Sequence, residues 1–416
     1  MTWGGIMLSL ALVAASATGA SPATSAASST CAGTAISAPR SWLAGAADTA
    51  TDVQPNGNTL VVVSAGFPTT SYAIADEFTP TCTPDRSFGN DGTEHLTFGG
   101  QAFTISAVIP APGGKTILAG STAKGWLIAR VDAGGRLDPT FGRGGSTVLP
   151  WPGSVSAITQ TSSGNIVLGA TAGGGCCVRE WVGELNSSGA LIRSFGDGGR
   201  TAIPVYLDDS GIGRVWAAPD GEILALSGGG NMGCWDTYVS ALTSQGRPVP
   251  GFQSNFNAAM QRAIPSQVLV ADAIIRPGSF LLVGTDQDTC VSSVPSRTAQ
   301  GRIMTFQLNG KLTGTTTFAS PMAQPAWALP RSNGGFVLVT SAPAAEASPH
   351  ARASLTVLTF SATGSKQGST VIQLPYASLA YPAGAIPVTI ATNGRVTSLV
   401  TSNATGTALR LTQLPY

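Results

Sequence analysis

The chain has 416 residues, and its 22 Lys and Arg balance 21 Asp and Glu to a net charge of +1, with only 10% of positions charged. A nucleic-acid binder carries a basic stripe, and no such stripe exists here. Gly, Thr, Ser and Pro abound and no stretch sustains a 3.6-residue apolar period, which sets helix content low.

Residues 6–20 (IMLSLALVAASATGA) are apolar and end in small residues, the pattern of a secretory signal peptide cut near Ala20. No Lys or Arg precedes this run, and it is too short to span a membrane stably. Residues 21–30 (SPATSAASST) form a low-complexity spacer. Residues 31–416 are expected to form one domain, exported and monomeric. Its aliphatic residues are spread at strand spacing, so no membrane span is expected.

Repetition organises that domain. Turn glycines at Gly57, Gly114, Gly164, Gly221, Gly278, Gly335 and Gly394 stand 50 to 59 residues apart, which gives seven units. The clearest copy runs from Pro112 to Gly145. A Pro-Gly-Gly turn leads into the apolar strand Lys115 to Gly120, a second strand covers Trp126 to Val131, and a polar turn ends in Leu137-Asp138-Pro139-Thr140-Phe141-Gly142. The Phe-Gly ending is clear at Phe88, Phe141 and Phe195, weaker at Phe252 and lost afterwards.

One such unit has too few apolar residues to bury a face alone and must stack on its neighbours. Strand-built units of this length predict an all-β, seven-bladed β-propeller of four-stranded blades. In each blade strand A precedes the turn glycine, B and C follow it, and D comes after Phe-Gly. The seventh unit ends at Tyr416 just after strand C, while Gly33-Thr34-Ala35-Ile36-Ser37 resembles the strand-D segment Gly199 to Pro204. The N-terminal segment is therefore expected to complete the last blade, with Thr34 to Ser37 antiparallel to Thr407 to Leu411, leaving no free edge at the seam.

On the residues Leu137 to Gly145, with echoes at Asp85 to Gly89 and Arg193 to Gly199, the chain resembles the delta-60 repeat family of bacterial β-propeller-like proteins. The resemblance covers roughly residues 50–416, and the family offers no catalytic residues to transfer.

Export implies an oxidising compartment, so the six cysteines read as disulfides. Cys31 precedes the borrowed strand and Cys82 lies in the C–D connection of the neighbouring first blade, so a Cys31–Cys82 bridge would lock the seam. Cys176, Cys177, Cys234 and Cys290 fall in B–C loops of blades three to five. Cys234 is expected to bridge most simply to Cys290, leaving Cys176 and Cys177 to pair with each other or stay open. A metal site would want a CxxC pair and a helping histidine, and neither is present.

Signals for catalysis are sparse. His95 on a predicted outer strand and His350 in a Pro/Ala-rich loop read as solvated surface residues. Gly228 to Gly233 matches G-x-G-x-x-G, but a strand follows it, so it reads as a flexible loop with no pyrophosphate site. Ser121 to Lys124 matches S-x-x-K by chance, and no cofactor is expected. Asp85 and Asp138 invite a calcium reading, against which stands an Asx turn whose carboxylate accepts a backbone N–H. The Phe after each is expected to plug between blades.

One face collects unusual residues. B–C and D–A loops share it, and on it fall Trp42, Trp151, Tyr206, Asp208, Asp209, Trp235, Asp236, Asp286, Asp288, Trp327, Tyr376 and Tyr381, with the longest loops around Gly173 to Glu180, Gly228 to Asp236 and Asp286 to Gly301. Aromatics beside carboxylates suit sugar or peptide binding, and equally they cap a blade core and keep a face wet. The expected function is a secreted binding or scaffold module, its partner an extracellular glycan or protein, with Tyr206, Asp208, Asp209, Trp235 and Asp236 as ligand-binding residues. A polysaccharide hydrolase or lyase using acids at the channel mouth is the alternative, and a quinone-type oxidoreductase the second.

Overall fold

The computed structural model describes residues 12–14, 32–36, 48–64, 71–173, 178–204, 208–231, 234–263, 268–286, 300–319, 327–331, 333–341, 354–373, 389–393, 396–402 and 409–415. They form a seven-bladed β-propeller. Strands β1 (Leu12–Ala14) and β2 (Ala32–Ile36) come first. Blade one is β3 (Asp48–Val53), β4 (Thr59–Ser64), β5 (Ala73–Phe78) and β6 (Thr93–Leu96). Blade two is β7 (Phe103–Ala111), β8 (Lys115–Thr122), β9 (Gly125–Val131) and β10 (Ser146–Leu149). Blade three is β11 (Ser154–Gln160), β12 (Ile166–Ala172), β13 (Arg179–Leu185) and β14 (Arg200–Ile203).

Blade four has β15 (Asp208–Ala217), β16 (Ile223–Asn231) and β17 (Cys234–Leu242), followed by the helix α1 (Phe252–Ala263). Blade five is β18 (Val268–Arg276), β19 (Ser279–Asp286), β20 (Gln300–Gln307) and β21 (Leu312–Ala319). Blade six is β22 (Trp327–Pro330), β23 (Phe336–Ser341), β24 (Ser354–Phe360) and β25 (Lys366–Gln373). Blade seven is β26 (Thr389–Thr392), β27 (Val396–Ser402), β28 (Leu409–Pro415) and the borrowed β2.

The second strand of a blade is rich in apolar residues because neighbouring blades cover both of its faces. Every residue of β4 (TLVVVS) is buried. The outer strands of the first three blades are four residues long and bury only their last residue, Leu96, Leu149 and Ile203 in β6, β10 and β14.

The ring closes as the sequence predicts. Thr34, Ala35 and Ile36 pair antiparallel with Leu411, Arg410 and Leu409. Across the seam, Thr59 Oγ1 lies 2.6 Å from Ser398 Oγ, and Gln413 Nε2 donates to Thr59 Oγ1 at 2.8 Å. Strand β1, within the segment read as a signal peptide, pairs parallel with β26.

The Phe-Gly signature is an inter-blade plug. Phe88, Phe141 and Phe195 are buried, and a Cβ on Gly135, Gly189 or Gly246 of the next blade would come within 2.7, 2.7 and 2.8 Å of their rings. The glycine after each Phe donates its N–H to the next C–D turn: Gly89 to Gly134 O, Gly142 to Ser188 O and Gly196 to Gln245 O, at 2.8–2.9 Å.

Blade four departs from the expectation of four strands, since α1 follows its C strand where a D strand is expected. Phe252, Phe256, Ala259 and Met260 recur at helical spacing and pack into the core shared with blade five. Phe256 lies 5.2 Å from Phe306, and Phe252 lies 6.2 Å from Phe280. The aromatic plug is kept, and a helix delivers it.

Candidate functional site

The predicted ligand-binding residues divide between described and undescribed parts of the chain. Tyr206 lies outside the described residues, as do Trp42, Asp288, Tyr376 and Tyr381. Asp208 and Asp209 open β15, and Trp235 and Asp236 stand at the start of β17. The ladder pairs Asp208 with Gly230 and Gly230 with Trp235, so the three share one row across blade four. Two strand spacings separate the ends of that row, about 10 Å. Asp236 is one row away, opposite Gly229.

Gly228 to Gly230 belong to strand β16, where the sequence suggests a flexible loop. The ladder runs unbroken from Ile223↔Leu242 to Asn231↔Cys234, making this a long hairpin instead of a long loop. Gly229 is required by the neighbouring strand. Between Asp208↔Gly230 and Gly211↔Gly228, β15 places Asp209 and Ser210 against Gly229 alone, a β-bulge. A Cβ on Gly229 would lie 2.6 Å from Ser210 Cα.

Beneath that bulge is a residue that the sequence pattern marks only as a loop boundary. Glu180, on β13 of blade three, is 1% exposed. Its Oε1 accepts Ser210 Oγ at 2.7 Å and its Oε2 accepts Ser227 Oγ, both from blade four. Burial raises its pKa, and the two hydroxyls oppose the rise. Glu180 is therefore a buried tie between blades three and four, holding the bulge that follows Asp208 and the β16 residue Ser227. A lone Glu at the start of a predicted strand gives no signal of this.

Other members of the predicted face are packing residues. Trp327 is fully buried on β22, which corrects its placement among the loops. Trp151 stacks edge-on against Trp126 at 4.9 Å, and the Arg200 guanidinium lies 4.9 Å from both Trp151 and Trp181, a sandwich that stiffens blades two and three. Asp48 opens β3, and burial pushes its carboxyl up to about 6.

The opposite face, formed by A–B and C–D turns, holds the described charge clusters. Ser87 N and Oγ both donate to Asp85 Oδ1, and Thr140 N and Oγ1 both donate to Asp138 Oδ1, so the Asp-Pro-Thr-Phe-Gly signature is an Asx turn. Lys115 Nζ and Arg130 Nε each meet Asp138 Oδ2 at 2.7 Å. Burial alone would raise the Asp138 pKa, but hydrogen bonds from Lys115, Thr140 and Arg130 outweigh it and hold the carboxyl well below the usual range. Among the described residues no group of three or more His, Cys, Asp or Glu is arranged to hold a metal ion.

His95 is exposed on the outer strand β6 and stacks on Tyr72 at 5.4 Å. Cys82 is buried and disulfide-bonded. Cys31, Cys176, Cys177 and Cys290 lie outside the described residues, and Cys234 is the first residue of β17. Among the described residues no helix is long and apolar enough to cross a membrane.

No family model matches the chain, and no curated protein does. Solved structures do. The polysaccharide lyase Uly1 is 9% identical with a TM-score of 0.48, covering 88% of this chain and 90% of its own. Prolyl oligopeptidase B from Galerina marginata is 13% identical at TM-score 0.45 over 87% of this chain and 48% of its own. The N-terminal domain of Nup159 is 13% identical at TM-score 0.41 over 89% of each chain.

Proposed function

We propose that this propeller is an exported binding or scaffold module whose ligand, a glycan or a peptide, meets the B–C/D–A face at blades three to five. One observation carries the reading: the Asp208–Gly230–Trp235 row, which sets an acid and an aromatic on one line of a long hairpin with a glycine between them. An aromatic surface stacks on a sugar ring or an apolar side chain, and an acid nearby accepts hydroxyl or amide hydrogens. The support below is rigid, because Glu180 ties the bulge of β15 to blade three. Rigid support lowers the ordering cost of binding.

The hydrolase or lyase alternative needs a general acid that substrate can reach. Glu180 has the raised pKa of such a group, yet it is buried and both of its oxygens accept serine hydroxyls. Its geometry suits support. The test is a glycan and peptide array probed with the wild type and with a Trp235→Ala, Asp236→Ala double variant. Loss of the peptide and neutral-glycan hits in the double variant supports the reading; such hits that survive it, or none at all, reject it.

A further inference from the structure

The A–B/C–D face carries a break in the repeat that the fold does not require. In each of the first three blades, one residue stands at or immediately before the start of strand B, one stands next to last in strand C, and one lies three before the plug Phe. Blade one has Asn58, Glu77 and Asp85 there, and Asn58 Nδ2 donates to Glu77 at 2.8 Å and to Asp85 at 2.6 Å. Blade three has Asn165, Glu184 and Ile192, with Asn165 Nδ2 donating to Glu184 at 3.0 Å. Blade two has Lys115, Arg130 and Asp138. A neutral amide and an acid serve the neighbouring blades, so two cations on one carboxylate are a departure that packing does not demand.

These cations border an open cleft of about 410 Å³ between blades two and three, lined also by Thr140, Gln160 and Ser188. Arg130 is fixed within it. Its Nη1 donates to Ser187 O at 2.7 Å, its Nη2 to Thr140 Oγ1 at 3.0 Å, and its guanidinium lies 4.9 Å from the Phe141 ring. Lys115 is looser. Its side chain is 33% exposed, and its bond to Asp138 uses one of three ammonium hydrogens. The cluster holds two positive charges against one negative, leaving an excess of one beside a wall of hydroxyls and an amide.

We propose that this cleft binds an acidic sugar residue, its carboxylate or sulfate held by Lys115 and the outer edge of Arg130, and its hydroxyls by Thr140, Gln160 and Ser188. The volume lies at the lower end of small-molecule sites, room for about one ring. Charge-assisted bonds to an oxyanion supply the selectivity over neutral sugars. This site is on the face opposite Trp235 and stands independently of the reading above.

The test is calorimetric titration of the full chain at low salt with digalacturonate, with a sulfated galactose disaccharide, and with neutral galactobiose. The two acidic sugars separate carboxylate from sulfate recognition. At least one of them is expected to bind about tenfold or more tighter than the neutral sugar. Lys115→Asn with Arg130→Glu installs the blade-one set, so the double variant should still fold, at a Tm lowered by the loss of the Asp138 ion pairs, and lose about tenfold or more of the acidic-sugar affinity. If that variant fails to fold, Lys115→Gln alone carries the same expectation. Acidic sugars that do not bind the wild type, or that bind no better than galactobiose, overturn the proposal. So does a folded variant that binds them as the wild type does.

Discussion

Phe141 occupies the space that a side chain on Gly189 would need: a Cβ there would lie 2.7 Å from the ring, and Gly189 has a φ of +82°. Gly189→Ala therefore meets two penalties, backbone strain and a clash with a buried ring. Gly144→Ala meets only the first, since its φ is +66° and nothing lies within 4 Å. Denaturant unfolding should show about 1–2 kcal/mol lost for Gly144→Ala and clearly more for Gly189→Ala. Phe141→Ala should cost about 3–5 kcal/mol. Equal effects of the two alanines would deny the plug its role in joining blades.

The second prediction concerns pH. Asp52 is buried on β3, and burial, opposed by a backbone bond and aided by the charge of Glu77, pushes its carboxyl up to about 8. Its Oδ1 and the neighbouring Gln54 Oε1 are buried without hydrogen-bond partners, so a proton on Asp52 brings a donor to a place rich in acceptors. The unfolded chain releases that proton near the ordinary value of 3.8, whereas the fold keeps it to about 8. The stabilisation is complete below pH ~4 and is lost as pH rises through ~8, an effect on the order of a few kcal/mol. Asp48, Glu77, Glu180 and Glu184 are shifted the same way. Asp85 and Asp138 are held low and act oppositely, stabilising above pH ~4 and losing that as pH falls. Asp52→Asn should flatten the fall of Tm between pH ~4 and ~8; curves parallel to wild type would show that Asp52 does not titrate as described.

How much of this was legible in the sequence depends on what each residue answers to. Blade count, closure by Thr34 to Ile36, the Asx turns and the Phe plugs follow from local signals repeated at a fixed period. Repetition makes each weak signal strong. Helix α1 was missed because its single apolar stripe (Phe252, Phe256, Ala259, Met260) sits inside a strand repeat and reads as a degraded copy. The hairpin at Gly228 to Gly230 was misread because glycine suggests a loop, whereas here the bulged Ser210 of the adjoining strand demands it. Glu180 and the Lys115–Arg130–Asp138 cluster were not legible as units: the serines that Glu180 accepts lie up to 47 residues away and reach it only when blades three and four stack, and Lys115, Arg130 and Asp138 meet only once the strands and C–D turn of blade two fold together.

A third prediction follows from Cys82, which is disulfide-bonded and has a φ of +55° in the C–D connection of blade one. We propose Cys31 as its partner, placing the bridge beside the borrowed strand β2. Peptide mapping of the non-reduced protein should recover a Cys31–Cys82 link. Cys82→Ser should then lower stability by about 3–4 kcal/mol, the value for closing a loop of that length, strain aside. A link from Cys82 to any other cysteine would remove the seam lock.

The central claim is that ligand meets the face of the Asp208–Gly230–Trp235 row. Its most direct measurement is the Kd of the strongest peptide or neutral-glycan array hit, taken for wild type, for Trp235→Ala with Asp236→Ala, and for Lys115→Asn with Arg130→Glu. The account predicts a loss of about tenfold or more, roughly 1.4 kcal/mol, in the first variant and no change in the second. An affinity unmoved by the first variant and weakened by the second would contradict it.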